Sequence, residues 1–89
     1  MSHAPYQENE LNGGTQKLYR FDNGFGARVV QHQYSYGGDM GQWELAVIKF
    51  NGDKWDLTYE TDITFDVLGY LDWHEVAQYL DQIAALQSA

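Results

Sequence analysis

The chain reads as an α+β domain, a four-stranded antiparallel β-meander with one C-terminal amphipathic helix packed on one face. Three observations predict it. Asn23-Gly24 and Asn51-Gly52 each stand between β-like runs, and Asn-Gly suits a type I′ hairpin turn because both central positions need positive φ. The run from Trp43 to Phe50 is apolar on both alternating faces, as a central strand would be. From Trp73 onward, apolar residues recur at helical spacing. Strands first and a helix last argue for segregated α+β architecture.

Each element follows in order. Residues 1–14 are polar, hold the only proline and end in Gly13-Gly14. They read as a flexible N-terminal tail, leaving 15–89 as a single ββββα domain. In "TQKLYRFD" (15–22), Tyr19 and Phe21 point one way and Leu18 and Arg20 the other. Gly26 marks a bulge after the first turn. "ARVVQHQY" (27–34) is the second strand. "WELAVIKF" (43–50) sets Trp43, Leu45 and Val47 on one face and Ala46, Ile48 and Phe50 on the other. "KWDLTYE" (54–60) alternates, with Trp55, Leu57 and Tyr59 toward the core. Asp62 or Thr64 would cap a short helical turn ended by Gly69 and anchored by Ile63, Phe65 and Leu68. Asp72, with Glu75 three residues on, predicts a capping box and a helix over 73–87. Trp73, Val76, Ala77, Leu80, Ile83 and Ala84 form its apolar face.

Composition limits the chemistry. The net charge is −8 and falls mainly on one half. After residue 52, Lys54 alone opposes Asp53, Asp56, Glu60, Asp62, Asp66, Asp72, Glu75 and Asp81. So acidic a half repels phosphate backbones and attracts basic protein surfaces. There is no cysteine, hence no disulfide framework and no thiolate chemistry. No apolar run approaches the roughly 20 residues that span a bilayer. The first residues carry neither a basic start nor an apolar stretch, unlike a signal peptide. The expectation is a cytoplasmic protein, bound neither to membrane nor directly to nucleic acid.

Catalytic patterns fail one by one. His3, His32 and His74 are scattered, and the His74-Glu75 pair lacks the second histidine of HExxH. No serine lies in GxSxG, and Ser35 near His32 lacks an orienting third group. The glycines of "SYGGDMGQ" (35–42) have no phosphate-cradle spacing and no lysine beside them. No metal, cofactor or catalytic residue is assigned. The loop's simplest role is to join two strands, with Tyr34 and Trp43 pairing across the ladder. Its functional reading is a contact patch of Tyr34, Tyr36, Met40 and Trp43, residue types common at interaction hot spots. A second candidate is an acidic patch of Asp53, Asp56, Glu60, Asp62 and Asp66.

Three stretches carry a resemblance. They are "RFDNGFGARVV", "YSYGGDMGQWELAVI" and "ITFDVLGYLDWHEVAQYL". Phe21, Asn23, Gly24, Gly26, Val29 and Val30, then Tyr36, Gly37, Gly38, Gly41 and Trp43 to Val47, then Val67, Gly69, Tyr70, Leu71, Glu75, Val76 and Leu80 match its pattern. The chain resembles a group of small uncharacterised proteins encoded by bacteriophages and prophages. The match spans about four fifths of the chain from residue 17 and excludes the first 14 residues. It implies a setting, the host bacterial cell, and no mechanism.

The expected function is therefore a non-enzymatic, protein-binding module or modulator of a host protein. Its sharper form is an acidic inhibitor that presents carboxylates where phosphates would lie in nucleic-acid-binding machinery. The alternatives are a small-ligand module centred on His32, Trp43 and Glu44, and a self-associating phage structural or assembly component using an edge strand.

Overall fold

The computed structural model describes residues 3–64 and 66–87. Three Asn-Gly pairs set its hairpins, and each makes a different turn. Gln7–Leu11 (β1) and Gly14–Arg20 (β2) are joined by Asn12-Gly13. Both turn residues have positive φ, 50° and 78°, as a type I′ turn requires. β2 and Phe25–Gln31 (β3) flank Asp22-Asn23-Gly24. There only Gly24 is left-handed, at φ 89°, and its N–H donates to the Phe21 carbonyl at 3.2 Å. This is a three-residue loop closed by a left-handed glycine rather than the expected type I′ turn. Trp43–Asn51 (β4) and Lys54–Leu57 (β5) are joined by Gly52-Asp53. Positive φ at Gly52 alone, 66°, fits type II′.

The α+β class and the single C-terminal helix stand, but the sheet has six strands rather than four. The order β1-β2-β3-β4-β5 is an antiparallel meander, and the sixth strand, Leu68–Leu71 (β6), pairs with β4. β4 is nine residues long. Its far half pairs with β5, through Ile48 to Asn51. Its near half pairs on the same edge with β6, through Trp43 and Leu45.

Three expectations are corrected here. Residues 7–11, expected in a tail, form β1, paired from Gln7↔Leu18 to Leu11↔Gly14. Every side chain of β1 except Leu11 is exposed, so no apolar pattern betrays it. No helical turn forms before Gly69: the described residues of 61–67 are bends and irregular chain, and Leu68–Leu71, Gly69 included, is a strand that takes up the backbone groups of β4's near edge. Phe65, one of its expected anchors, lies outside the described residues. Gly26 is no bulge; it pairs in register with Arg20 and Ile48. A Cβ there would lie 1.9 Å from the Tyr19 carbonyl oxygen.

The faces divide as the alternation requires. Tyr19, Ala27, Val29, Leu45 and Val47 meet Leu71 and the helix residues Val76, Leu80 and Ile83 in the main core. The helix, Trp73–Ala84 (α1), starts on a full capping box between Asp72 and Glu75. It ends three residues before the expected limit. Asn23 ends it: its Nδ2 donates to the carbonyls of Ile83 (2.8 Å), Leu86 (3.0 Å) and Ala84 (3.3 Å). Ile63 in the 58–67 crossover packs on the same core.

On the opposite face Leu18, Ile48 and Phe50 form a smaller cluster against Trp55. Among the described residues no helix or second sheet covers it. The sheet curls into half a barrel, so that Tyr6, just before β1, sets its ring 5.9 Å from Phe50 on β4. Arg20 lies over both rings, 4.5 Å from Phe50 and 5.7 Å from Tyr6. Leu57 and Tyr59, expected toward the core, are exposed. Alternation selects a side for each residue, but at this margin the curl covers only Trp55.

Candidate functional site

The β3–β4 connection is a built loop. Ser35 Oγ accepts from the His32 N–H (3.0 Å) and donates to the His32 carbonyl (2.9 Å). A 3-10 turn, Gly38–Met40, follows between left-handed glycines 37 and 41. Gly38 packs against the His32 carbonyl so closely that a Cβ would lie 1.9 Å from its oxygen. The Tyr34 N–H donates to His32 Nδ1 (3.0 Å), and the Tyr36 N–H donates to Glu44 Oε1 (3.1 Å). The loop is thus pinned at both ends by side chains that sequence reasoning had weighed for catalysis or ligand binding.

β6 completes this end. The Tyr70 N–H donates to the Tyr36 carbonyl (3.2 Å), and their rings stand 6.3 Å apart. The β4–β6 register shifts between Trp43 and Leu45. Two residues, Gly69 and Tyr70, therefore oppose Glu44 alone, and Tyr70 adopts φ 58°. A bulky residue in the left-handed region is a true outlier, costing on the order of 1–3 kcal/mol. The strain turns the Tyr70 ring outward while Leu71 stays buried. Gly69 allows the approach, since a Cβ there would meet Tyr36 Cβ at 2.5 Å.

Of the expected contact patch, Tyr34, Tyr36 and Met40 are exposed, at 73%, 56% and 64%. Tyr34 lies in the loop beyond β3, not in a strand, so its expected pairing with Trp43 does not form. Trp43 is half-buried and meets Trp73 edge to face at 5.2 Å. The Lys17 ammonium sits 4.7 Å from the Trp73 ring and 5.5 Å from Trp43, with Glu8 at 3.8 Å. Tyr70, 55% exposed, and Trp73, 42% exposed, belong to this end and were missed. Trp73 had been assigned to the helix's buried face. Tyr70 stood in a segment with no clear period.

Of the acidic residues, Asp53 and Asp56 belong to the hairpin at the other end of β4, about 26 Å away for eight steps of about 3.3 Å. The acidic residues do not form one patch. Asp53, at the hairpin tip, lies 3.8 Å from Arg20. Asp56 and Glu60 line an open cleft of about 660 Å³ with Lys49, Leu57 and Tyr59. Glu60 and Asp62 line a second depression against Phe25 and the residues after α1. Asp66 binds back to Thr64 and Val67.

His32, Trp43 and Glu44 do not converge. Trp43 and Glu44 are neighbours in β4 and point to opposite faces. Among the described residues, no three histidine or carboxylate side chains come together as metal ligands, and no helix is long and apolar enough to cross a membrane. No family model matches the chain, and no curated protein or solved structure is similar to it.

Proposed function

We propose that the protein is a non-enzymatic protein-binding module that docks through its aromatic end. The observation that carries this reading is the exposed set of Tyr34, Tyr36 and Met40, held on a loop fixed by internal hydrogen bonds, with Tyr70 of β6 and Trp73 of α1 at the same end. Large rigid aromatics bury much area at little entropic cost, and they dominate interface energetics. Strain at Tyr70 supports the reading, because a left-handed tyrosine is retained at a cost to stability. The resemblance to small phage and prophage proteins supports a host or phage protein as the partner, in the bacterial cytoplasm.

A second reading rests on the opposite end. Asp56 and Glu60 flank a cleft that also exposes Leu57 and Tyr59. That surface suits an acidic inhibitor of nucleic-acid-binding machinery.

One experiment separates the two. Wild type, Tyr36→Ala/Tyr70→Asn and Asp56→Asn/Glu60→Gln serve as baits in bacterial lysate, read by mass spectrometry at low and high salt. Asparagine suits φ 58° better than tyrosine, so the first variant is expected to fold with unchanged or higher Tm. A partner lost with the tyrosine pair and kept with the carboxylate pair supports the aromatic end. The converse pattern, with loss at high salt, supports the acidic inhibitor and refutes the first reading.

A further inference from the structure

The three Asn-Gly pairs differ in more than their turns. Asn-Gly is also where a backbone nitrogen most readily attacks the preceding side chain, since glycine carries no side chain to shield its N–H. The fold controls that attack in three ways. It can occupy the glycine N–H, occupy the asparagine amide, or hold the nitrogen far from the side chain.

Asn23 is held in the first two ways. Its Nδ2 donates to the carbonyls of Ile83, Ala84 and Leu86, and its Oδ1 accepts from the Phe25 N–H. The Gly24 N–H donates to the Phe21 carbonyl. Attack there requires several hydrogen bonds to open together. Asn12 and Asn51 are exposed. Among the described residues, neither their side-chain amides nor the Gly13 and Gly52 N–H groups have a hydrogen-bond partner.

Geometry separates these two. The attacking nitrogen must swing about the Cα–C bond until it eclipses the asparagine Cβ. Asn12, with φ 50°, takes the first central position of a type I′ turn, which sets the nitrogen about 150° from Cβ, nearly opposite it. Asn51 is the last residue of β4, and extended backbone sets the nitrogen about 105° away.

We propose that Asn51 is a site of spontaneous covalent modification, with Asn12 slower and Asn23 protected by the fold. The Gly52 nitrogen attacks Asn51 Cγ. The N–Cγ bond forms, the Cγ–Nδ2 bond breaks, and ammonia leaves with the proton lost by the Gly52 nitrogen. Water then opens the succinimide at either carbonyl, giving aspartate or isoaspartate. Either product adds a carboxylate to the hairpin that carries Asp53 and Asp56. Isoaspartate also adds a methylene to the chain before Gly52. That displaces the Asn51↔Lys54 pair closing the two-residue turn, and the Arg20 hydrogen bond to the Gly52 carbonyl. The β4–β5 hairpin thus ages from its turn. The inference rests on turn geometry alone and is independent of both docking readings.

The test incubates the protein in warm, mildly alkaline buffer, native and in urea, and maps peptides by mass spectrometry that separates aspartyl from isoaspartyl products. In the native state Asn51 should convert fastest and Asn12 more slowly. Asn23 should trail Asn51 by about tenfold or more, as the bonds it must break require. In urea the three rates should converge, since each asparagine precedes a glycine. Amide hydrogen exchange at Lys54 should quicken in the aged wild type and stay slow in aged Asn51→Gln. Native rates at Asn51 no faster than at Asn12, an Asn23 as fast as Asn51, or the same ranking kept in urea would each overturn the proposal. Unchanged Lys54 exchange in the isoaspartyl protein would refute the opening of the hairpin.

Discussion

Asn23 does two jobs with one amide. Its Oδ1 accepts from the Phe25 N–H at 2.9 Å and shapes the turn. Its Nδ2 satisfies carbonyls at the end of a helix 60 residues away. Aspartate suits the turn equally well but brings a carboxylate against helix carbonyls and the negative end of the dipole. Asn23→Ala should therefore cost about 1–3 kcal/mol, since it leaves part-buried carbonyls unpaired. Asn23→Asp should cost at least as much, as urea denaturation would show. Indifference to aspartate would mean that only the turn matters.

Tyr19 carries an ionisation signal at the same scale. Burial, and then the nearby Glu8 carboxylate, raise its phenol above the ordinary value of 10.0. The unfolded chain ionises first as pH rises, so stability falls from about pH 10 upward. Tyr19→Phe should lower stability slightly at neutral pH but flatten that alkaline limb. At the acid side, His3 holds the Asp81 carboxyl below 3.8 through a 2.8 Å hydrogen bond. That contribution is present above pH 4 and fades as pH falls through the lowered value.

At the scale of elements, β1 separates two accounts of the first residues. As a tail, residues 1–11 would add nothing to stability. As a strand, they supply a ladder to β2, the Tyr6 ring on Phe50, and His3 on Phe21 at 5.0 Å. Deleting residues 1–11 should lower Tm by several degrees and expose the Leu18–Phe50 cluster, measurable by calorimetry and dye binding. An unchanged Tm would return these residues to a tail.

At the scale of the whole molecule, the charges are unbalanced, with a net of −8. Self-repulsion at a net charge of −8 should make the fold more stable as salt rises. Raising sodium chloride from low to moderate concentration should therefore raise Tm by a few degrees. A falling Tm would instead mean that attractive pairs such as Lys17–Glu8 and Arg20–Asp53 outweigh the repulsion.

Residue type and spacing by themselves determined the α+β class, the central strand with two apolar faces, the helix with its Asp72–Glu75 box, and the exposed Tyr34, Tyr36 and Met40. All of these follow from periods of 2 and 3.6 and from local capping chemistry, which neighbouring residues encode. Tertiary structure alone decided the rest. Gln7–Leu11 has no apolar stripe, and becomes a strand only because β2 has an edge to pair. Leu68–Leu71 is drawn onto the free half of β4, and the register shift there turns Tyr70 outward beside Tyr36. Which Asn-Gly makes which turn depends on loop length, and thus on how many residues lie between paired partners. The aromatic surface takes Tyr70 from such long-range pairing, which no window of sequence contains.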